Sequence, residues 1–248
     1  MRYRATLAYD GTAYQGFQRQ AGDTPSIQGT VERAIASASG QKVNVSGAGR
    51  TDTGVHASGQ VIAFDVEWTH ADQALLRAIN FHLPQDIALQ DIRQHPGFHP
   101  RYDAISRLYR YRVLIAPQRQ PLLLTRVWQM WNGLDGDLME QASKLFIGEK
   151  DFASLGKPTQ GEVTIRSVYR SEWQAQQNEF GMLWTYTVEA DGFLHHMVRR
   201  MVALLVQVGQ KRMTVDQFEQ LLVRAQLVES LAIAPPQGLT LEVVRYNE

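Results

Sequence analysis

Gly49-Arg50-Thr51-Asp52-Thr53-Gly54-Val55-His56-Ala57 reads as a turn between two strands. Before it, Lys42-Val43-Asn44-Val45-Ser46 alternates in polarity, the pattern of a half-buried strand. After it, Gln60 to Val66 is rich in strand-forming residues. Glycines at 47, 49, 54 and 59 let the backbone turn sharply or approach another segment closely. The turn presents one carboxylate, Asp52, with Arg50 two residues before it. Taken alone, this is also what a loop looks like when its Asp merely caps a turn. The rest of the chain has to decide.

Outward from this loop, strands and helices mix without a regular βαβ period. Tyr3–Tyr9 alternates as a strand. Ser26–Ser39 predicts a helix, with Ser26 as N-cap, apolar positions at Ile27, Val31, Ala34, Ile35 and Ala38, and Gly40 beyond its end. Gln73–Phe81 predicts a second helix, Leu108–Ile115 a strand, and the proline-broken stretch 117–121 a loop. A helix over Asp137–Phe146 is closed by Gly148. The runs 163–175 and 182–190 predict antiparallel strands linked through Asn178–Gly181. Helices follow over 193–208 and 214–225, the latter with Thr214 and Gln217 in capping-box spacing. A strand over Leu239–Tyr246 comes last. This pattern is α+β, with mostly antiparallel sheet and helices on one side. The division falls near residue 103, giving halves 1–103 and 104–248, with no detectable sequence repeat.

The 248 residues are enough to bury a sizeable core, and 44% apolar with 20% charged residues indicates an ordinary globular chain. With no cysteine, disulfides, thiolate metal sites and cysteine nucleophiles are excluded. The N-terminal residues lack the apolar core of a signal peptide, and Met201–Val206 is too short to span a bilayer. A cytoplasmic protein without a membrane partner is the expectation. The 25 basic and 25 acidic residues cancel, so a nucleic-acid partner needs a local concentration of charge. Such a stripe runs through Arg101, Arg107, Arg110 and Arg112, interleaved with Tyr102, Tyr109 and Tyr111 and flanked by His95 and His99. Arginines with aromatics contact phosphates and stack on unpaired bases; the plain alternative is a strand with one solvated basic face.

Five stretches in order resemble the tRNA pseudouridine synthase A family. The loop Gly49–His56 is similar to its signature, in which the residue at the position of Asp52 is the catalytic nucleophile. Tyr9-Asp10-Gly11-Thr12-Ala13-Tyr14-Gln15-Gly16-Phe17-Gln18-Arg19-Gln20 resembles its first motif, and Ser106-Arg107-Leu108-Tyr109-Arg110-Tyr111 its tyrosine motif. Phe193-Leu194-His195-His196-Met197-Val198-Arg199 resembles its late helix motif, and Gly238-Leu239-Thr240-Leu241 its closing strand. The resemblance implies two similar α+β halves around a central RNA-binding cleft. Asp52 would come from the first half, and Tyr109 and Arg199 from the second. It further implies a homodimer that converts uridines 38, 39 and 40 of the tRNA anticodon stem-loop to pseudouridine.

On a helical wheel, Leu194, Val198, Met201, Leu205 and Val208 form an apolar stripe. Arg199 falls on its shoulder, where a cation needs an acceptor, for which Asp52 is the candidate, or else snorkels to water along the stripe. Arg200 falls on the far side with His196 and Gln207, free to meet RNA. Neighbouring helical residues do not share a face, so His195-His196 is a poor metal site, and no metal is expected. Isomerising uridine breaks C1′–N1 and forms C1′–C5 with no redox change, so no cofactor is needed. A carboxylate nucleophile suits it, attacking either C1′ or C6. Arg50 is placed to fill the space left by a flipped base or to hold the backbone; Tyr109 is placed to stack on that base and help move the C5 proton. Asp10-Gly11-Thr12 after a strand also has the look of a haloacid-dehalogenase loop, but Ala8 stands where that nucleophile belongs. The remaining alternative is a non-catalytic RNA-binding or RNA-folding protein.

Overall fold

The computed structural model describes residues 1–22, 24–158, 161–224 and 226–247. In chain order the regular elements are β1 (Arg2–Tyr9), α1 (Ile27–Ser39), β2 (Ser46–Gly47), β3 (His56–Asp65), α2 (Asp72–His82), β4 (Ile87–Gln94) and β5 (Ala104–Ile115). They continue with β6 (Trp128–Met130), α3 (Gly136–Lys144), β7 (Gly148–Asp151), β8 (Ile165–Asn178), β9 (Gly181–Ala190), α4 (Met197–Gly209), α5 (Val215–Leu222) and β10 (Leu239–Tyr246). The fold is α+β, as the pattern predicts. Two compact units are Met1–Ile105 with Thr240–Glu248, and Ser106–Leu239.

In the first unit the strand order is β4-β1-β3-β10, with β2 beside β3. β1 pairs antiparallel with β3 and β4, Tyr3 opposite both Phe64 and Gln94. One side of β1, Tyr3, Ala5, Leu7 and Tyr9, is buried while Arg2, Arg4, Thr6 and Ala8 are half-exposed, the period-2 signal the sequence carries. α1 starts where Ser26 accepts from the Gly29 amide and ends at left-handed Gly40. β4 has no counterpart in the sequence reading. Its alternation is broken because the β1–β4 register shifts between Thr6 and Leu7, which is where Asp91 turns to accept from the Thr6 amide.

Two expectations for this unit are corrected. Lys42–Ser46 does not form a strand; pairing covers Ser46 and Gly47 alone. The Val45 amide instead donates to the buried Glu32 carboxylate, and the Val45 carbonyl accepts from Gln28, so α1 side chains take the backbone groups a strand would use. The expected division near 103 also leaves 240–248 in the second half. β10 returns them to the first unit by running parallel to β3, Thr240 opposite His56 and Leu241 opposite Ala57.

The second unit has the order β5-β9-β8-β7, with β6 parallel to β5. The β8–β9 hairpin closes where Asn178 Oδ1 accepts from the Phe180 and Gly181 amides, an Asx-type turn. Gly181 has φ 149°, and a Cβ there would meet the Ile115 carbonyl oxygen at 2.2 Å. Phe146, Phe152 and Phe218 pack together in the core among α3 and α5. The Thr214–Gln217 capping box opens α5 as predicted, ending at Leu222; residue 225, the last of that expected helix, lies outside the described residues. Among the described residues no helix is long and apolar enough to cross a membrane.

Candidate active site

The Asp52 loop is fixed on both flanks by the first unit. Thr51 is buried; its Oγ1 shares a 2.8 Å hydrogen bond with the Tyr9 hydroxyl, and its carbonyl accepts from the Phe17 amide at 3.0 Å. Gln60 Nε2 donates to the Gly49 carbonyl at 2.8 Å. Downstream, the Val55 amide closes a turn onto the Asp52 carbonyl, and Gly54 takes φ 75°. His56 is buried: its Nδ1 accepts from the Gly11 amide at 3.1 Å and lies 3.1 Å from Asp10 Oδ1. Between these anchors Asp52 is half-exposed and Arg50 exposed. Only the tip of the loop faces outward, which holds a carboxylate at low ordering cost.

Tyr9, Gly11, Phe17 and Gln60 are supporting residues to which the sequence reading gave no role. The signal for the first three was present in the first motif, Tyr9–Gln20, which packs directly beneath the Asp52 loop; Gln60 stands in β3, outside that motif. Burial raises the Tyr9 hydroxyl to about 12, so it stays protonated and available to Thr51.

The interleaved arginines and tyrosines do not make one stripe. β5 pairs with β9 in an unbroken register from Arg107–Ala190 to Ile115–Met182. Successive side chains therefore alternate between sheet faces. Arg107, Tyr109 and Tyr111 share one face; Arg110 and Arg112 are on the other. Tyr109 is buried, edge-on to Phe193 with ring centroids 5.3 Å apart. Arg107 Nη1 donates to the Asp191 carbonyl at 2.7 Å, while Arg110 is exposed. Tyr111 is fully buried and donates to the Pro235 carbonyl at 2.7 Å, so it belongs to the core. Arg101 lies outside β5, half-exposed in the turn after β4.

The second unit also corrects the wheel drawn for 193–208. The helix begins at Met197, because His196 is left-handed at φ 62° and the His195 amide donates to the Lys157 carbonyl. His195 and His196 thus stand in a turn, where their rings stack at 3.7 Å; the helical argument against them as neighbours does not apply. α4 is buried on nearly every side, so it has no polar face to offer Arg200. That residue is 8% exposed and donates through Nη1 to the Leu155 carbonyl at 3.0 Å and the His195 carbonyl at 3.3 Å. The RNA-facing placement of Arg200 is therefore replaced by an internal one. Arg199 is half-buried; its Nε donates to the Ala234 carbonyl at 2.7 Å while its own carbonyl accepts from the Ala234 amide at 3.1 Å.

The family model for tRNA pseudouridine synthase matches residues 5–103 and 142–247. The chain belongs to this family. Among its relatives, tRNA pseudouridine synthase A of Neisseria gonorrhoeae (strain NCCP11945) is 39% identical over 247 residues, covering 99% of this chain and 92% of that one. The Methylacidiphilum infernorum (isolate V4) protein of that name is 37% identical over 98% of this chain and 95% of its own. The Shewanella piezotolerans one is 35% identical over 100% and 94%. A solved Cbf5-Nop10-Gar1 complex matches at TM-score 0.33 and 13% identity, over 83% of this chain and 54% of that chain, too slight a likeness to argue from. Within the synthase family match lie Asp52, Arg50, Arg101 and Arg199; Arg107, Tyr109 and Arg110 fall in the stretch 104–141, between the matched segments.

Proposed function

We propose that this chain converts uridine to pseudouridine at positions 38, 39 and 40 of the tRNA anticodon stem-loop, with Asp52 as nucleophile. The observation that carries the reading is the Asp52 loop itself, which in a chain of this family holds one half-exposed carboxylate at the tip of a turn clamped on both sides. In the reaction the C1′–N1 bond breaks, the uracil turns, C1′–C5 forms, the C5 proton leaves and N1 gains one. Asp52 forms a transient ester at C1′ or adds at C6, and is released unchanged; either route uses it as a carboxylate. Arg199 is the cation assigned to the developing charge of this step. Tyr109 stacks on the extruded base and assists the proton transfer at C5. Arg50 occupies the space the base leaves, and Arg101, Arg107 and Arg110 contact phosphates.

No redox step or external group enters this balance, so the reaction draws on no cofactor. We further take the working protein to be a cytoplasmic homodimer. The test is tritium release from tRNA labelled at uridine C5, with pseudouridine mapping of the product. The wild-type chain releases tritium and gains pseudouridine at 38–40. Asp52→Asn and Asp52→Ala bind tRNA and fold but release none, because a neutral amide or a methyl group cannot form the ester. An Asp52→Asn rate within about tenfold of wild type, about 1.4 kcal/mol in barrier, removes Asp52 from that role. A wild-type chain that binds tRNA without release is the RNA-binding alternative instead.

A further inference from the structure

Away from the Asp52 loop, the stretch Arg93-Gln94-His95-Pro96-Gly97-Phe98-His99-Pro100-Arg101-Tyr102 holds two arginines, two histidines and no carboxylate. Phe98 anchors it. The ring is 3% exposed, stacked by His95 at 4.8 Å, met edge-on by Tyr246 at 5.0 Å and covered by the Arg4 guanidinium at 5.2 Å. Arg2 Nε donates to the Phe98 carbonyl, and the Tyr246 hydroxyl to that of Pro100. The turn beyond Phe98 is locked in the same way. The Arg101 and Tyr102 amides both donate to His99 Nδ1 at 3.2 Å, and the His99 amide donates to the Asp103 carboxylate at 2.8 Å.

This holds the His99 imidazole in one orientation, and Tyr102 lies on it with ring centroids 4.2 Å apart and planes 26° off parallel. Tyr102 nevertheless stays 71% exposed. A lone exposed aromatic is ordinary. An exposed aromatic already ordered on a fixed ring is different, because the entropy of ordering it was lost in folding and not on binding. Arg4 also stands opposite Arg93 across β1 and β4. The pairing sets two cationic side chains beside each other on one sheet face.

We propose that Tyr102, backed by His99, is a stacking platform for one unpaired base of the tRNA, with Arg93 and Arg4 meeting the adjoining phosphates. This rests on the reading of the chain as a tRNA-modifying enzyme and adds a contact separate from the reacting uridine. A flat, exposed ring in a segment that carries Arg93 and Arg101 matches a base and its phosphates better than an apolar protein partner. The test measures binding of an unmodified tRNA transcript. Tyr102→Ala weakens affinity about 5- to 100-fold, Tyr102→Phe keeps it because the ring remains, and Tyr169→Ala, which removes a 58% exposed ring in the second unit, leaves it unchanged. Arg93→Ala lowers the slope of log K against log salt by about 1. Wild-type affinity in Tyr102→Ala overturns the platform, as does equal weakening in Tyr102→Phe. A wild-type chain that binds no tRNA overturns the enzyme reading along with it, whereas tritium release by Tyr102→Ala at unaltered affinity sinks the platform alone.

Discussion

A Cβ added to Gly11 would stand 2.0 Å from the carbonyl oxygen of Val55, three residues beyond Asp52. No side chain can move to relieve that approach, since the obstacle is backbone. Gly11→Ala is expected to cost about 1–3 kcal/mol or more of stability and to lower turnover about 10²-fold through a displaced Asp52. Gly49→Ala is the comparison: nothing lies within 4 Å of a Cβ there, so its melting temperature should match wild type. Melting curves and single-turnover rates for both variants check this; equal behaviour would mean that close approach is not what Gly11 supplies.

Neighbours on α4, Arg199 and Arg200 should fail in different ways. Arg200→Ala strips the buried Leu155 carbonyl, and the His195 carbonyl beside it, of a donor, a loss of about 1–3 kcal/mol seen in denaturant unfolding. Arg199→Ala is expected to act on the chemical step, with turnover falling by more than tRNA affinity does. Matching profiles in unfolding and kinetics would contradict the separation.

Tyr109→Phe should separate ring from hydroxyl. The edge-on contact with Phe193 needs only the ring, so folding and tRNA binding are retained, binding to within about 1 kcal/mol. Loss of a positioned acid or base slows turnover by about 10²–10⁴. Full-speed turnover by Tyr109→Phe would leave the residue as a stacking surface only.

Burial raises Tyr9 to about 12 and pushes Tyr111 and Tyr186 well above the ordinary tyrosine value. The unfolded chain gives up these protons near pH 10 and the folded chain does not. Their stabilisation is therefore complete below pH 10 and is lost as pH rises through the folded values. Tyr9 alone accounts for about 2–3 kcal/mol between pH 10 and 12. Urea midpoints from pH 8 to 12 should fall steeply for the wild type, and Tyr9→Phe should flatten the fall.

The sequence was most legible where local rules act alone. Ser26 and Gly40 bound α1, Thr214 and Gln217 open α5, and strand alternation marks β1, because caps and pleats are decided by a few neighbouring residues. It was least legible where distant groups intervene. Glu32 and Gln28 take the Val45 backbone out of a strand, and a helix wheel presumes a solvated side that α4 lacks. At the candidate site, motif resemblance pointed to Asp52, yet the hydrogen bonds of Tyr9 and Gln60 that hold its loop came only from structure. The arginine–tyrosine stretch was read by composition, whereas the pleat of β5 divides it between two faces.

The position of β10 has a consequence for the life of the chain on the ribosome. Its residues complete the sheet directly after the Asp52 loop, at His56 and Ala57, yet 134 residues of the second unit, Ser106 to Leu239, are translated first. At about 5–20 residues per second, β3 waits roughly 9–35 s for its last neighbour, because residues 66–239 are made between Asp65 and Thr240. A partly synthesised chain therefore already holds the loop's hydrogen bonds to Tyr9, Phe17 and Gln60 while β3 still lacks its parallel neighbour.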